Sequence, residues 1–190
     1  MSQKTTHLLS IGEYFHIYNR GVDRNRIFFE EENYEFFIRR IDNYFDPSKL
    51  TILVFCLMPN HFHFIIRQDQ PNALSEFMST LCKSYAKAIN KRLHRSGHLF
   101  ESKYKLKHVD EEMYLLHLSR YIHLNPVVAG LVTSPVQWQF SSYRDYRGLN
   151  GNSFVSTREI LSQMKGSENY EEYVNGYRNE DRNVIAKYLF

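Results

Sequence analysis

The spacing of apolar residues along the chain predicts four strands. Residues 13–21, EYFHIYNRG, and residues 50–58, LTILVFCLM, are rich in aromatic and β-branched side chains, a composition typical of strands. A Pro-Asn turn separates the second of these from residues 61–67, HFHFIIR, which predict a third strand. The sequence YKLKHV at residues 104–109 predicts a fourth. Each prediction follows from composition and from alternation with period two.

Apolar residues at helical spacing predict the segments between and after these strands. Residues 28–45 carry acidic side chains early and apolar ones later, which indicates an amphipathic helix. A long helix is expected from about residue 72 to residue 94, and another over residues 111–124. We expect the latter to end before Pro126, because proline disfavours the helical conformation of the residue before it. A short helical pattern at residues 157–164 follows an irregular aromatic section.

The predicted order β-α-β-β-α-β-α contains two β-α-β halves. This arrangement predicts an α+β, ferredoxin-like core with a mainly antiparallel sheet, helices on one face, and one added helix. The strand at residues 61–67 is then central. Such a fold alone does not identify a function, because it carries many unrelated ones.

Composition limits the class of protein. The chain has 190 residues, two cysteines without metal-site spacing and a net charge of +3. Its apolar stretches are all shorter than the 18 or so residues that a membrane-spanning helix needs. We therefore expect a soluble cytoplasmic protein with reduced cysteines, not a membrane protein.

Positive charge is concentrated in residues 83–107, where eight lysines and arginines face one acidic residue, Glu101, for a local net charge of +7. Lysines four apart, as at the start of this segment, commonly form only a solvated helix surface. The charge continues through a turn into the predicted fourth strand, interleaved with aromatic residues. This pattern favours binding of an anionic polymer along a groove.

Two histidines share one face of the predicted third strand. Side chains two residues apart in a strand point the same way, so His61 and His63 project together, opposite to Phe62 and Phe64. Single histidines on strands are more often hydrogen-bonded core or surface residues than ligands. A pair at this spacing favours a shared ligand, since neutral imidazole is a common metal-binding group. A further ligand must then come from elsewhere.

The helix over residues 111–124 contains the partner we consider. Tyr121 and Asn125 lie four residues apart and share a helix face. If that face packs over the histidine strand, His61, His63 and the amide oxygen of Asn125 converge on one cation beside the tyrosine hydroxyl. Two alternatives remain open at this point: Asn125 as an ordinary helix cap before Pro126, and Tyr121 as an ordinary core residue.

Several segments resemble one protein family. MPNHFHFII at residues 58–66 resembles the His-hydrophobic-His signature of HUH single-strand nucleases, and YIHLNP at residues 121–126 resembles the catalytic helix of single-tyrosine transposases. The segments EYFHIYNRGVDRNRIFF, INKRLHRSGHLFESKYK and NPVVAGLV, with the later WQFSSYRDY, are similar to the REP-associated tyrosine transposase branch. The similarity runs in unbroken order from about residue 12 to residue 146. It implies a catalytic domain over residues 11–146 and a C-terminal extension over residues 147–190.

The resemblance implies a chemistry for these residues. His61, His63 and Asn125 would hold Mg²⁺ or Mn²⁺, and Tyr121 would attack single-stranded DNA at hairpin-forming repeats to give a 5′-phosphotyrosine. The sequence departs from the family pattern at Glu101 and at a lysine two residues later, since relatives often have Gln and Arg there. No small-molecule substrate is expected, and the oligomeric state is left open. The expected DNA-binding residues are Arg20, Arg24, Lys83, Lys87, Arg95, Lys103 and Lys105.

Three alternatives remain. A rolling-circle replication initiator or relaxase uses the same chemistry, but such proteins usually bring a second tyrosine or extra domains. A non-catalytic module that binds single-stranded nucleic acid is the alternative from another class; RNA-binding sheets of this shape display aromatics where this chain has histidines. A small zinc hydrolase would need a general base beside the histidines, which the sequence does not suggest.

Overall fold

The structure is a computed structural model that describes residues 10–110 and 112–176, and leaves the side chains of residues 112 and 113 undescribed. The part described contains four strands and six α-helices. The strands are β1 (Tyr14–Arg20), β2 (Leu50–Met58), β3 (His61–Gln68) and β4 (Lys105–Val109). The helices are α1 (Glu31–Tyr44), α2 (Ala73–Arg92), α3 (Glu112–Val128), α4 (Tyr143–Tyr146), α5 (Arg158–Gln163) and α6 (Ser167–Asn175).

The four strands form one sheet in the order β2-β3-β1-β4, and every neighbouring pair is antiparallel. This order places the two strands of each β-α-β half around a strand of the other half. The predicted ferredoxin-like fold and the central position of β3 are therefore confirmed. The predicted strands and long helices match the observed ones to within a few residues at each end.

Helices cover both faces of the sheet. Helices α1 and α2 lie on the first face, where Ile17, Phe62 and Phe64 belong to the larger of two buried apolar clusters. Helix α3, which the prediction added to the ferredoxin-like core, covers the second face. There Leu118 and Ile122 belong to a second buried cluster that includes sheet residues. The sheet is thus the middle layer of three.

The prediction that the third long helix ends before Pro126 is wrong. Helix α3 includes Pro126 and continues to Val128. Proline removes only its own N–H from the helical hydrogen bonds, and little more than half a turn follows it. The backbone N–H of Ala129 donates to the carbonyl of Asn125 and that of Leu131 to the carbonyl of Pro126, so this end of the helix stays closed.

The C-terminal helices extend the core of the protein. Phe154 belongs to the cluster under α1 and α2, and Tyr170 and Val174 of α6 belong to the cluster under α3. The predicted helical pattern at residues 157–164 corresponds to α5, whereas α6 was not predicted. Within the described ranges, none of the helices combines the length and apolar character needed to cross a membrane.

Candidate active site

The register of the sheet surrounds the histidine pair with residues of the neighbouring strands. In an antiparallel pair, residues directly opposite each other share a face. Arg20 lies opposite His61, and Tyr18 lies between His63 on one side and Lys105 on the other. All five side chains therefore belong to the second face of the sheet, which we call the histidine face.

The two imidazoles are adjacent and neutral. The ring centroids of His61 and His63 are 5.1 Å apart, with the ring planes at 84°. Burial lowers the pKa of His61 to about 4, with a smaller contribution from the charge of Arg20. Burial lowers the pKa of His63 well below its usual value, and the neighbouring histidines add to this effect. Both rings are thus uncharged at neutral pH, which is the state that binds a metal ion.

Each of these imidazoles has a neighbour at its Nδ1 atom. His61 Nδ1 lies 2.6 Å from the side-chain oxygen of Asn60. His63 Nδ1 lies 2.9 Å from Nε2 of His16 on β1, and both of these rings are buried. Contacts of this kind fix the orientation of a histidine ring, and they also fix its tautomer where the partner atom can only accept a hydrogen bond.

Tyr121 of α3 faces the histidine strand. Its ring centroid lies 6.2 Å from that of His63, with the planes at 78°, and its side chain is half-buried. Asn125 follows one helical turn later and is buried, and its amide nitrogen donates to the carbonyl of Tyr121 at 3.1 Å. Since the nitrogen is engaged in this way, the amide oxygen is the atom with ligand chemistry.

The donor set fits a cation only if one ligand is an amide. Among the described residues no three His, Cys, Asp or Glu side chains are placed to hold a metal ion together. His61 and His63 are close enough to share one ion, and the oxygen of Asn125 is the ligand that the sequence suggested. Two imidazoles with a neutral oxygen suit Mn²⁺ somewhat better than Mg²⁺, which prefers oxygen ligands alone.

Arg20, an expected DNA-binding residue, pairs with Glu101. Its guanidinium forms two hydrogen bonds to the carboxylate, through Nε and through Nη2, the latter 3.2 Å long. The hydrogen bond from Arg20 is the main reason why the pKa of Glu101 lies below its usual value, and the charges of Lys105 and Arg24 act in the same direction. The residue at which the sequence departs from the family pattern therefore lies beside the histidine face.

The fold divides the basic segment between two surfaces. Lys105 lies on the histidine face, where its Nζ is 6.0 Å from the ring centroid of Tyr18. Lys83, Lys87 and Lys103 instead line a groove of about 880 Å³ between α2 and the loop before β4. Asn19, which lies opposite Phe62 and so belongs to the first face of the sheet, also lines this groove. The two surfaces meet around the edge strand β4.

Arg95 and Arg24 occupy other positions. The guanidinium of Arg95 lies over the ring of Phe29, 5.7 Å from its centroid. Arg24 lies in the loop after β1, and its carbonyl accepts a hydrogen bond of 3.1 Å from the side-chain nitrogen of Asn60. The structure therefore brings Arg24 near the histidine strand through its main chain.

Sequence reasoning missed three residues of this site. His16 and Tyr18 lie on β1 at the same two-residue spacing as the histidines of β3, which was a visible signal. The register between β1 and β3 could not be read from spacing, however, so nothing showed that these residues face His63. Asn60 was assigned only to the turn before β3, yet its side chain contacts His61.

The fold and the site together define a class. It is the class of ferredoxin-like α+β proteins that carry a histidine pair on a central strand under a helix bearing a tyrosine. The chain belongs to the IS200-like transposase family, because the model of the family described as "Transposase IS200 like" matches residues 11–125. The family indicated by the sequence motifs is thereby confirmed.

A solved structure of a transposase shows the same fold. A REP-associated tyrosine transposase bound to a REP hairpin superposes with a TM-score of 0.63 at 19% identity, covering 82% of this chain and 92% of that one. A putative transposase from Deinococcus radiodurans R1 gives a TM-score of 0.41 at 15% identity, covering 64% of this chain and 95% of that one. No curated protein sequence matches this chain.

Proposed function

We propose that this chain is a metal-dependent endonuclease and strand transferase for single-stranded DNA that forms a 5′-phosphotyrosine intermediate. The observation that carries the proposal is the placement of Tyr121 on α3, its ring 6.2 Å from that of His63, over two adjacent neutral imidazoles. Membership of the IS200-like transposase family supports the same reaction. The extent of the catalytic domain, residues 11–146, remains a prediction.

Tyr121 would supply the nucleophile. Its hydroxyl oxygen forms a bond to the scissile phosphorus while the bond from phosphorus to the 3′ oxygen breaks, and the hydroxyl proton is transferred to that leaving oxygen. The products are a 5′-phosphotyrosine and a free 3′-hydroxyl. A second 3′-hydroxyl can reverse the step and join two strands without ATP, because the phosphodiester energy is retained in the covalent link.

The histidine face would hold the cation and the scissile phosphate. His61, His63 and Asn125 are the residues that would bind Mg²⁺ or Mn²⁺, and the ion would neutralise charge that develops on the phosphate. Tyrosine is a weak nucleophile at neutral pH, since few of its hydroxyls are ionised, so this assistance at the phosphate is required. The neutral state of both imidazoles keeps their lone pairs for the ion.

The substrate we propose is single-stranded DNA, at hairpin-forming repeats. Helix α3 brings the ring of Tyr121 beside that of His63, and we infer that a flexible single strand enters this space more readily than a duplex. Lys105, on the histidine face, would contact phosphates there, and Lys83, Lys87 and Lys103, which line the groove, would contact them along it. The solved relative that is bound to a REP hairpin suggests a hairpin beside the cleaved strand.

Replacement of Tyr121 by phenylalanine tests the proposal. Phenylalanine keeps the ring and removes the nucleophile, so Tyr121→Phe should abolish the covalent DNA adduct and leave binding of single strands nearly unchanged. The assay is a labelled hairpin with a single-stranded flank, incubated with Mn²⁺ and separated on a denaturing gel. Tyr114→Phe, on the same helix, is the matched control and should form the adduct as the parent does.

Two results would contradict the proposal. Adduct formation by Tyr121→Phe would exclude Tyr121 as the nucleophile, and Tyr18→Phe would then be examined because its ring centroid lies 6.0 Å from that of His63. Tyr85 is a poorer candidate, since its hydroxyl donates to the carbonyl of Ile27 in the core. Binding of the hairpin by the parent without any adduct would favour the non-catalytic binding module.

A further inference from the structure

We propose that Asn60 is a positioning residue that holds the His61 imidazole in one tautomer, with the proton on Nδ1 and the lone pair of Nε2 directed to a ligand. The inference deepens the proposed function, since it assigns the nitrogen with which His61 would bind the cation. It starts from the contact of 2.6 Å between His61 Nδ1 and the side-chain oxygen of Asn60.

The orientation of the Asn60 amide follows from its other contact. The nitrogen of this amide lies 3.1 Å from the carbonyl oxygen of Arg24. A carbonyl oxygen only accepts hydrogen bonds, so the atom of Asn60 that faces it must be the NH₂ group. The atom that faces His61 is then the amide oxygen, which also only accepts. His61 Nδ1 must therefore carry the proton, and a neutral ring then has its lone pair on Nε2.

The loop after β1 holds Asn60 in this position. The backbone N–H of Gly21 donates to the Asn60 carbonyl at 2.9 Å, so the same loop binds Asn60 through both its main chain and its side chain. Arg24 has a φ of +58°, a conformation that non-glycine residues rarely adopt. A Cβ atom on Gly21 would lie 2.1 Å from the Asn25 carbonyl oxygen, so the turn requires glycine. These constraints place the Arg24 carbonyl where it selects the amide orientation.

The corresponding contact at His63 does not select a tautomer. His63 Nδ1 lies 2.9 Å from Nε2 of His16, and in a pair of neutral imidazoles either ring can donate. The inference therefore concerns His61, where the partner can only accept.

The first test uses the metal-free protein. The nitrogen-15 shifts of the His61 ring should show a protonated Nδ1 and an unprotonated Nε2 in the parent. Asn60→Ala should yield a mixture of tautomers, because the acceptor is lost. Asn60→Asp should restore the parent pattern, since a carboxylate also accepts from Nδ1. A protonated Nε2 in the parent, or an unchanged ring in Asn60→Ala, would overturn the inference.

The second test measures Mn²⁺ affinity by calorimetry without DNA. Asn60→Ala should bind Mn²⁺ about ten- to a hundredfold more weakly than the parent, as is usual when a residue that orients a metal ligand is lost. The matched control is Asn90→Ala, which removes a bond of 2.8 Å from a side-chain amide to the carbonyl of Gly97. Equal affinity of Asn60→Ala and the parent would contradict the positioning role. If the parent shows the Nδ1–H tautomer but no Mn²⁺ binding, the metal site of the proposed function fails while the positioning by Asn60 stands.

Discussion

Two buried histidines lie at helix α3, His123 on the helix itself and His63 on the strand that Tyr121 faces, and their surroundings differ. His123, on α3 itself, has Nδ1 at 2.7 Å from the hydroxyl of Tyr170 and Nε2 at 2.8 Å from the hydroxyl of Ser142. His63, on β3, lies against the rings of His61 and Tyr121. Both ring nitrogens of His123 form hydrogen bonds that hold the fold together. His63 instead lies beside a second imidazole and a tyrosine, which are side chains that can bind a metal ion or act as a nucleophile.

The comparison shows that burial alone does not identify a ligand. Burial lowers the pKa of His123 to about 3, and it also lowers that of His63 well below its usual value. Both rings are therefore neutral at physiological pH. The neighbours decide their roles, because hydroxyls from the C-terminal part of the chain occupy both nitrogens of His123. We infer that His123 anchors α3 to the C-terminal part of the chain and that His63 is a metal ligand of the proposed reaction.

The largest expected effect is a loss of Mn²⁺ binding when the histidines of the histidine face are replaced, but not when His123 is. The double variant His61→Ala and His63→Ala should lose Mn²⁺ binding and adduct formation completely, since both imidazole ligands are gone. Calorimetry should show one Mn²⁺ site in the parent and none in the double variant. His123→Asn is the matched control and should bind Mn²⁺ as the parent does. Retained Mn²⁺ binding by the double variant would show that the histidine face is not the metal site.

The second expected effect separates them by stability. His123→Ala should lower the free energy of unfolding by about 2–4 kcal/mol, because it leaves a cavity and removes one hydrogen bond from each of the buried hydroxyls of Tyr170 and Ser142. Urea unfolding followed by circular dichroism measures this change. The single variant His63→Ala should lose less, since the Nδ1 contact of His63 is to His16 on the neighbouring strand, whereas the bonds of His123 hold two segments from later in the chain. A larger loss of unfolding free energy for His63→Ala than for His123→Ala would contradict the assignment of the structural role to His123.

The smallest expected effect concerns the lysines around β4. Neutralising Lys103 and Lys105 together should flatten the dependence of log affinity on log salt for single strands, by roughly 1.4 if two phosphate contacts are lost. The rate of adduct formation at saturating DNA should change little, because these lysines would contact phosphates of the strand other than the scissile one. The control is Lys49→Gln, whose ammonium pairs with Asp46. An unchanged slope would contradict these two contacts and would indicate that the DNA strand runs along Arg20, Arg24 and Lys83 instead.

The features that depend on local periodicity could be predicted from the sequence alone. Alternation placed His61 and His63 on one face of a strand, and helical spacing placed Tyr121 and Asn125 on one face of a helix. The order of elements was sufficient for the ferredoxin-like fold, since few topologies connect two β-α-β halves in a compact way. The two face assignments needed only residues within four positions of each other.

The features that depend on strand register and on contacts between distant segments could not be predicted in this way. The pairing of β1 with β3 brought His16 and Tyr18 to His63, and a loop carbonyl at Arg24 oriented the amide of Asn60. Packing against α3 gave the C-terminal residues their place, including Tyr170. A shift of one residue in a strand register reverses every side chain, and no local pattern of this sequence specifies which register forms. The side chains that share one face of a strand or helix were therefore predictable, and the residues of other strands and loops that contact them were not.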